Sequence, residues 1–315
     1  MSAPILVAGE ALYDLVADGN GVIAGHAGGG PFNTARTIAR LGQPVAFLGR
    51  LSTDRLGRTL ERMLAEDGVA LDSVVRTSEP TTLALADVDA GGGASYHFYA
   101  AGTSAPGLTV EEALHAIPSD VAALHVGTLG LVLEPLATAL EAVVARLAER
   151  TLVAVDPNCR PSTIADPVAY RERLRRVLER ADLVKVSVDD LAWLDPGRPA
   201  VEAARALLAA GPAVVLLTCG AEGATVVTAS RAVHVAPQPA SVVDTIGAGD
   251  AFNGGFLAWW RSRELGREEL ADDELVVEAA RFASLVAART VERAGATPPH
   301  LIGTSSSGPL ELHSV

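Results

Sequence analysis

Residues 241–260 read SVVDTIGAGDAFNGGFLAWW and contain the residue types that could transfer a charged group. Gly247, Ala248 and Gly249 are small residues at the start of an apolar pattern with helical spacing, so bare amides at a helix N-terminus could bind an anion there. Asp250 follows directly, and a carboxylate beside an anion site is suited to accept a proton from a nucleophile that attacks phosphorus. The alternative role for Asp250 is that of a helix cap.

Short apolar runs and longer amphipathic runs alternate along the chain and would position this segment. Predicted strands cover residues 5–9, 45–49, 124–127, 152–156, 183–186 and 214–218, and predicted helices cover 33–41, 56–67, 135–150, 170–180, 201–210, 250–264 and 273–293. This alternation predicts a parallel sheet with helices on both faces. Ligands bind such sheets at the carboxyl ends of strands, where Asp156, Thr218 and Asp244 are expected, the last one after an apolar strand at Val242 and Val243.

The segment DTIGAGDAFNGGF resembles the signature of the ribokinase-like (PfkB) family of sugar and nucleoside kinases, DTxGAGD followed by a helix rich in small residues. Residues 28–35, GGGPFNTA, resemble the GGxxxN sugar-binding segment of the same family. Further matches follow in the family's order at Leu41-Gly42, Phe47-Leu48-Gly49, Asp156-Pro157-Asn158 and Thr218-Cys219-Gly220. The resemblance therefore covers residues 5–300, nearly the whole chain.

The resemblance implies one ribokinase-like α/β domain over residues 1–315, with a central, mostly parallel sheet and helices on both of its faces. It also implies a small β lid over the sugar. The lid strands are predicted at about 10–27 and 74–102, where the residues alternate at period two around glycine-rich turns. The tail over residues 302–315 is predicted to be flexible.

The activity implied by the resemblance is transfer of the γ-phosphate of ATP to a sugar hydroxyl, with Mg²⁺ and, as in some relatives, K⁺. Asp250 would be the general base, and the amides of Gly247, Ala248 and Gly249 would stabilise the charge on the transferred group. Fructokinase-like members are the most similar part of the family.

By resemblance, the sugar would be bound by Asp14, Gly28, Gly29, Asn33, Tyr99 and Arg160. A carboxylate such as Asp14 can accept two hydroxyl donors. Asn33 could instead cap the helix that follows it. Arg160 carries a fork of donors that suits phosphate or carboxylate oxygens, and a surface ion pair is its alternative role.

The nucleotide would contact Ser187, Thr218, Gly220, Gly223 and Asn253 by the same resemblance. Asp190 stands where many family members carry glutamate, and it would act on Mg²⁺ through water. It is a shorter acid, and N-capping of the DDLAWL helix is the rival role. Asp244, together with Gly295, is the candidate site for a monovalent cation.

Composition excludes several classes of function. The 315 residues are 49% apolar and 20% charged, with a formal charge of −13, which argues against binding to nucleic acid or to anionic membranes. The start of the chain lacks a signal peptide pattern, and Cys159 and Cys219 form no CxxC pair, so a cytoplasmic location is expected. Lys185 is the single lysine and has no glycine before it, which excludes a Walker-type phosphate loop.

The sugar-facing segments, 9–33 and 81–105, contain no arginine or lysine, which favours a neutral sugar such as fructose. PTTLA at 80–84 matches fructokinase-like members, but Ala100 stands where they often carry arginine. A 2-keto-3-deoxygluconate kinase that uses Arg160 is the first alternative. A ribokinase or nucleoside kinase is the second.

Two alternatives lie outside the kinases. An NAD-dependent oxidoreductase would need a GxGxxG fingerprint after the first strand, and the sequence has none there. A non-catalytic sugar-binding protein of the same fold would have no need of Asp250 in an intact GAGD. A homodimer through the lid strands is also expected from the family.

Overall fold

The computed structural model describes residues 3–17, 23–88, 94–147 and 149–300. The strands, in chain order, are β1 (Ile5–Ala8), β2 (Leu12–Ala17), β3 (Ile23–Gly28), β4 (Val45–Ser52), β5 (Val74–Thr77), β6 (Leu83–Val88), β7 (Ala94–Tyr99), β8 (Ala123–Gly127), β9 (Leu152–Asp156), β10 (Leu183–Ser187), β11 (Val214–Thr218), β12 (Ala224–Thr228) and β13 (Ala232–Val235). The tail predicted to be flexible, 302–315, lies outside the described residues.

The helices are α1 (Gly30–Arg40), α2 (Arg55–Asp67), α3 (Val110–His115), α4 (Leu136–Arg146), α5 (Pro167–Leu178), α6 (Val188–Leu194), α7 (Ala200–Leu208), α8 (Ala248–Ser262) and α9 (Asp273–Val291). None of the helices in the described part of the chain is long and apolar enough to cross a membrane.

Nine strands form the main sheet in the order β13-β12-β11-β10-β9-β8-β1-β4-β5. All neighbours from β5 to β11 are parallel, whereas β12 and β13 pair antiparallel at one edge. The central strands are mostly apolar because both of their faces are covered by helices. One core cluster packs against α1, α2, α8 and α9, and the other against α3 to α7.

A separate four-stranded sheet, called the small sheet below, has the order β3-β2-β6-β7. Its central strands β2 and β6 are parallel, and each forms an antiparallel pair with an edge strand. It contains the strands predicted within 10–27 and most of those within 74–102. The exception is β5, at residues 74–77, which pairs with β4 and so belongs to the main sheet.

The strand predicted at Val242 and Val243 is wrong. Both side chains are 65% exposed, and Val243 N–H donates to Val291 O at the end of α9 instead of to a strand neighbour. Asp244 is therefore not at the carboxyl end of a strand. An apolar pair predicts a strand only when the fold offers a partner, and here the segment runs along the surface into α8.

Candidate active site

A cleft with a volume of about 1440 Å³ lies between the small sheet and the carboxyl ends of the main strands. The small sheet contributes Leu12, Asp14, Val16 and Phe98. The segments after β8 and β9 contribute Thr128, Asn158 and Arg160, the last residues of β10 and β11 contribute Ser187 and Thr218, and the start of α8 contributes residues 247–250. The sheet edge thus collects polar side chains that are far apart in sequence, as predicted for Thr218 and for the segment that follows Asp156.

The start of α8 depends on the backbone of Gly247. This residue is the N-cap and has a φ of 78°, in the left-handed region that favours glycine. A Cβ at this position would also lie 2.4 Å from the Cβ of Ala296. The first-turn amides have no acceptor inside the helix, although Ala248 N–H reaches Thr245 O at 3.3 Å. The turn therefore presents amides at the cleft.

Asp250 lies in this first turn and is 8% exposed. Its Oδ2 accepts a hydrogen bond of 2.9 Å from Asn33 Nδ2, and Thr34 Oγ1 donates to its backbone oxygen at 3.3 Å. Burial raises the pKa of Asp250 to about 6, against the opposing effect of the Asn33 bond. The group is thus poised to gain and lose a proton near neutral pH.

Asn33 lines the cleft from within α1 and does not cap that helix, whose N-cap is Gly29. Its bond to Asp250 is its clearest contact and fixes the orientation of that carboxylate. The predicted capping role of Asn33 is therefore wrong. Gly29 lies at the start of α1 on the cleft wall.

Asp14 extends from β2 into the cleft, next to Gly28 on the neighbouring strand β3. A Cβ at Gly28 would lie 2.0 Å from Oδ2 of Asp14, so only glycine leaves this carboxylate its place. Burial, and then the charge of Asp250, raise the pKa of Asp14 to about 6. Two carboxyl groups therefore share one side of the cleft.

Arg160 lines the cleft, but its guanidinium is held by neutral oxygens. It donates to Asn158 Oδ1 at 2.6 Å and to the backbone oxygens of Asn158 and Cys159 at 3.1 Å. The alternative of a surface ion pair finds no carboxylate partner among the described residues. Asn158 Nδ2 in turn reaches Thr128 Oγ1 at 3.4 Å across the cleft floor.

Tyr99 does not line the cleft, in contrast to the prediction. Successive side chains of a strand point to opposite faces, and on β7 it is Phe98 that reaches the cleft. Tyr99 points away and is 57% exposed. The sequence places both aromatic residues on a strand but does not say which of them faces inward.

The cleft is also lined by Ser187, Thr218, Gly220 and Gly223, and their contact with the nucleotide stays a prediction. Ser187 is the N-cap of α6, and Thr218 Oγ1 donates to Val186 O at 3.3 Å. This part of the cleft is built from strand ends and a glycine-rich turn, so it presents backbone groups more than charged side chains.

Asp190 has a structural role at the start of α6. Its Oδ2 accepts from the amide and the hydroxyl of Ser187 at 2.8 and 2.7 Å, and its Oδ1 accepts from Cys159 N–H at 2.6 Å. Asp190 and Ser187 thus form a capping box, the rival role considered for this acid. The action of Asp190 on Mg²⁺ through water stays a prediction.

Asn253 lies below the cleft and not on its wall, and its contact with the nucleotide stays a prediction. Its Nδ2 donates to Asp156 Oδ2 at 2.7 Å, and Lys185 Nζ donates to the same oxygen at 3.1 Å. Both Asp156 and Lys185 are buried. The helical spacing between Asp250 and Asn253 turns the asparagine toward the sheet.

Asp244 ties two loops together. Its Oδ2 accepts from Gly295 N–H at 2.9 Å and its Oδ1 accepts from Ile246 N–H at 3.0 Å. The contact with Gly295 joins the two residues named for the monovalent cation, and binding of K⁺ there stays a prediction.

Two residues that the sequence analysis did not assign to the site are Glu10 and Lys185, both on the cleft wall. Glu10 is 1% exposed, and its Oε2 accepts from Gly130 N–H at 3.0 Å. Burial raises the pKa of Glu10 to about 8. The available signals were a charged residue two positions after an apolar strand for Glu10, and a charged residue in the middle of an apolar strand for Lys185.

Nothing in the described ranges forms a cluster of three or more His, Cys, Asp or Glu side chains that could hold a metal ion. A divalent ion in this cleft would therefore depend on ligands from a bound phosphate chain. That pattern is typical of Mg²⁺, which keeps several waters and binds together with substrate phosphates.

The site combines a buried carboxyl group with the free amides at the start of a helix. One wall of the cleft carries carboxyl groups and the other carries backbone groups. This arrangement is that of a phosphotransferase that acts on a polar acceptor. The model of the pfkB family of carbohydrate kinases matches residues 4–301, and the chain belongs to this family. The predictions of a ribokinase-like α/β fold and of an ATP-dependent carbohydrate kinase are confirmed, and the oxidoreductase and non-catalytic alternatives fall away.

Among curated relatives, a fructokinase of Rhizobium leguminosarum bv. trifolii is 36% identical over 258 residues, which cover 81% of this chain and 78% of that protein. The fructokinase of Xylella fastidiosa with bound ATP has a TM-score of 0.86 and 31% identity, covering 93% of each chain. The fructokinase of Vibrio cholerae with fructose, ADP and a calcium ion has a TM-score of 0.80 and 28% identity, covering 93% of this chain and 94% of that one.

Proposed function

We propose that the protein transfers the γ-phosphate of ATP to a hydroxyl of fructose. The observation that carries the proposal is the buried Asp250 carboxylate, fixed by Asn33 beside the amides that begin α8. The relatives described above are fructokinases, and the solved structures of two of them hold ATP or fructose with ADP.

In the proposed reaction, the sugar hydroxyl attacks the γ-phosphorus while Asp250 accepts its proton. Asn33 holds Oδ2, so we assign the proton to Oδ1, which faces Gly30 on the cleft wall. The new O–P bond forms as the bond from the γ-phosphorus to the bridging oxygen breaks, and ADP leaves. Amides of residues 247–249 stabilise the charge on the transferred group.

The sugar half of the cleft favours a neutral acceptor. Asp14 and Asp250 are both carboxyl groups, and the guanidinium of Arg160 on the cleft wall already donates to Asn158. Hydroxyl groups of a sugar can donate to Asp14, whereas an anionic group would be repelled there. Gly29 lines this part of the cleft, whereas Gly28 is not on its wall and instead leaves space for the Asp14 carboxylate.

Mg²⁺ fits this cleft as a partner of ATP, because the described carboxylates offer no cage of their own. When bound, the ion would neutralise charge on the phosphate chain and hold it in line with the acceptor. Ser187, Thr218, Gly220 and Gly223 are the wall against which we place the nucleotide.

A second candidate substrate is 2-keto-3-deoxygluconate. The presence of Arg160 on the cleft wall favours it, since a guanidinium could exchange its bond with Asn158 for one with the sugar acid. Ribose and adenosine are the acceptors expected of the remaining alternatives.

We also propose a homodimer formed through the small sheet. Its outward face carries Leu15, Ile23, Leu85 and Tyr99, of which Ile23 and Tyr99 are 59% and 57% exposed. A second copy would cover this face with the same apolar residues. Light scattering at micromolar concentration tests this: the wild type should show twice the chain mass, and Ile23→Glu should show the single-chain mass.

A reducing compartment such as the cytoplasm is proposed as the location, because Cys159 and Cys219 are both free.

The substrate is tested by ATP-dependent ADP release with fructose, 2-keto-3-deoxygluconate, ribose and adenosine. We expect fructose to give the highest kcat/KM by at least about tenfold, the discrimination that a few hydrogen bonds supply. The Asp250→Asn protein, purified in parallel, controls for contaminating kinases. A higher kcat/KM with the sugar acid would replace fructose, and no ADP with any acceptor would overturn the kinase assignment.

A further inference from the structure

We propose that Lys185 is the cation that neutralises the transferred phosphoryl group, reaching it beneath the first turn of α8 through the gap left by Gly249. The inference rests on the proposed phosphoryl transfer at Asp250. It assigns a role to the single lysine of the chain, which the sequence analysis used only to exclude a Walker-type loop.

The position of Lys185 follows from the sheet. It lies in the middle of β10, a central strand, on the face that packs against α8. Its side chain is 6% exposed, yet the residue lines the cleft. A long side chain from a buried strand can therefore bring its ammonium group up under the anion site while its stem stays in the core.

Gly249 leaves the space that the ammonium group needs. A Cβ at this position would lie 3.0 Å from Lys185 Nζ, with the Cε at 3.7 Å as the next neighbour. The amide of Gly249 belongs to the same first turn that presents donors to the cleft. The lysine and these amides therefore lie side by side, so both act on one anion.

Asp156 holds the ammonium group in place. Lys185 Nζ donates to Asp156 Oδ2 at 3.1 Å, and Asn253 Nδ2 donates to the same oxygen at 2.7 Å. The second oxygen of Asp156 accepts from Asn158 N–H at 3.1 Å. An ammonium group has three donors and the bond to Asp156 uses one, so the group can bind a phosphate oxygen without leaving its partner.

The charges around Lys185 keep it protonated. Burial by itself would lower its pKa, but the charges of Asp156, Asp190 and Asp250 outweigh this effect and raise the pKa. His125 is a further titratable side chain on the face of the sheet that carries Lys185. It is buried, and its pKa falls to about 3 because of burial and the nearby lysine. The cleft therefore holds a permanent positive charge at the α8 N-terminus at neutral pH.

Lys185 also acts on the base. Its charge lowers the pKa of Asp250, against the larger effect of burial, and so keeps the base ionised at lower pH. A cation placed only to neutralise Asp156 would be a poor structural choice, since a buried ion pair contributes little net stability. Contact with the negatively charged γ-phosphoryl group of ATP gives the buried charge of Lys185 a function.

The test compares Lys185→Met with Lys185→Arg, and adds the double variant Lys185→Met with Asp156→Asn, in which no buried carboxylate is left unpaired. Calorimetry measures the Kd of a non-hydrolysable ATP analogue and of ADP. We expect Lys185→Met to weaken the analogue about tenfold or more and ADP less than about threefold, since only the former carries the terminal group. Asn253→Ala, which removes the neutral donor to Asp156, should leave the ratio of the two Kd values unchanged.

Activity gives a second reading. We expect kcat to fall about 10²-fold or more in Lys185→Met and to stay low in the double variant. The acid limb of the pH profile should move to higher pH. If the double variant recovers kcat, or if both nucleotides weaken equally, Lys185 is only the charge partner of Asp156 and the proposal fails. The Kd ratio is measured without sugar, so it tests Lys185 even if fructose is not the acceptor.

Discussion

The two halves of the cleft are built from different material. The sugar half is made of buried side chains with shifted pKa values, namely Glu10, Asp14 and Asp250. The nucleotide half is made of a glycine-rich turn and strand ends, and its residues from Gly220 to Glu222 are exposed. In the proposed reaction, the acceptor would therefore be recognised by side-chain chemistry, and the donor by backbone shape.

This difference decides what each half tolerates. A buried carboxyl group that is held by a single partner loses its function when one of its oxygens is replaced, as in a change from aspartate to asparagine. A wall of backbone amides keeps its donors after most substitutions, provided that the chain path is conserved. The start of α8 at Gly247, called the junction below, shares features of both halves. It binds through backbone amides, but these amides are in place only if Gly247 keeps its left-handed conformation.

The largest expected difference is between two glycine substitutions. Gly247→Ala should reduce kcat by roughly 10²-fold, because the new Cβ would lie 2.4 Å from Ala296 and the first turn of α8 must shift. Gly220→Ala, on the nucleotide wall, has a φ of 56° but nothing within 4 Å of its Cβ, so kcat should change less than about threefold. Steady-state kinetics checks both. Equal losses of kcat in the two variants would contradict the distinction between the junction and the nucleotide side of the cleft.

The pH dependence of the sugar half gives the next effect. Since burial raises the pKa of Asp250 to about 6, the base is ionised above this pH and protonated below it. Titration of Asp250 alone would make kcat/KM for the sugar fall about tenfold for each pH unit below about 6. We expect a steeper fall than this, because Asp14 titrates in the same range. Melting curves at each pH control for unfolding. A profile that stays flat to about pH 5 would contradict the buried base.

The smallest effect concerns stability. Glu10 has a pKa of about 8 in the folded protein against 4.5 as the reference, so the folded state binds its proton more tightly. The stability it contributes is complete below about pH 4.5 and is lost as the pH rises through about 8. The melting temperature of Glu10→Gln, relative to the wild type, should therefore rise by several degrees between about pH 5 and 8.5.

The control for Glu10 is Glu111→Gln on α3, whose carboxyl group is exposed. A constant difference for Glu10→Gln would show that this carboxyl ionises normally in the folded protein.

The sequence was informative where function depends on local pattern. The GAGD segment lies at a helix start as predicted, and Thr218 lies at a strand end on the cleft, because apolar periodicity and small residues are local signals. The helix bounds differ by a few residues, as at α8, which begins at Ala248 and not at Asp250. Helix α3 and the antiparallel strands β12 and β13 were not predicted.

The rest of the site depends on contacts between distant segments. Whether Phe98 or Tyr99 faces the cleft is decided by strand register, which shifts every side chain when it slips by one. Asp190 and Asn253 look like ligands in a motif, yet their partners, Cys159 and Asp156, come from a loop and a strand about thirty or more residues away. In the sequence, Lys185 and Glu10 are isolated charged residues. Their partners, Asp156 for Lys185 and Gly130 for Glu10, are close to them only in the folded protein.

The central claim is that the Asp250 carboxylate takes the proton of the acceptor hydroxyl. The most direct test is single-turnover phosphoryl transfer by Asp250→Asn with ATP and fructose both bound, as verified by calorimetry. The account predicts a folded protein that binds both substrates and transfers about 10²- to 10⁴-fold more slowly than the wild type. Transfer at close to the wild-type rate would contradict it.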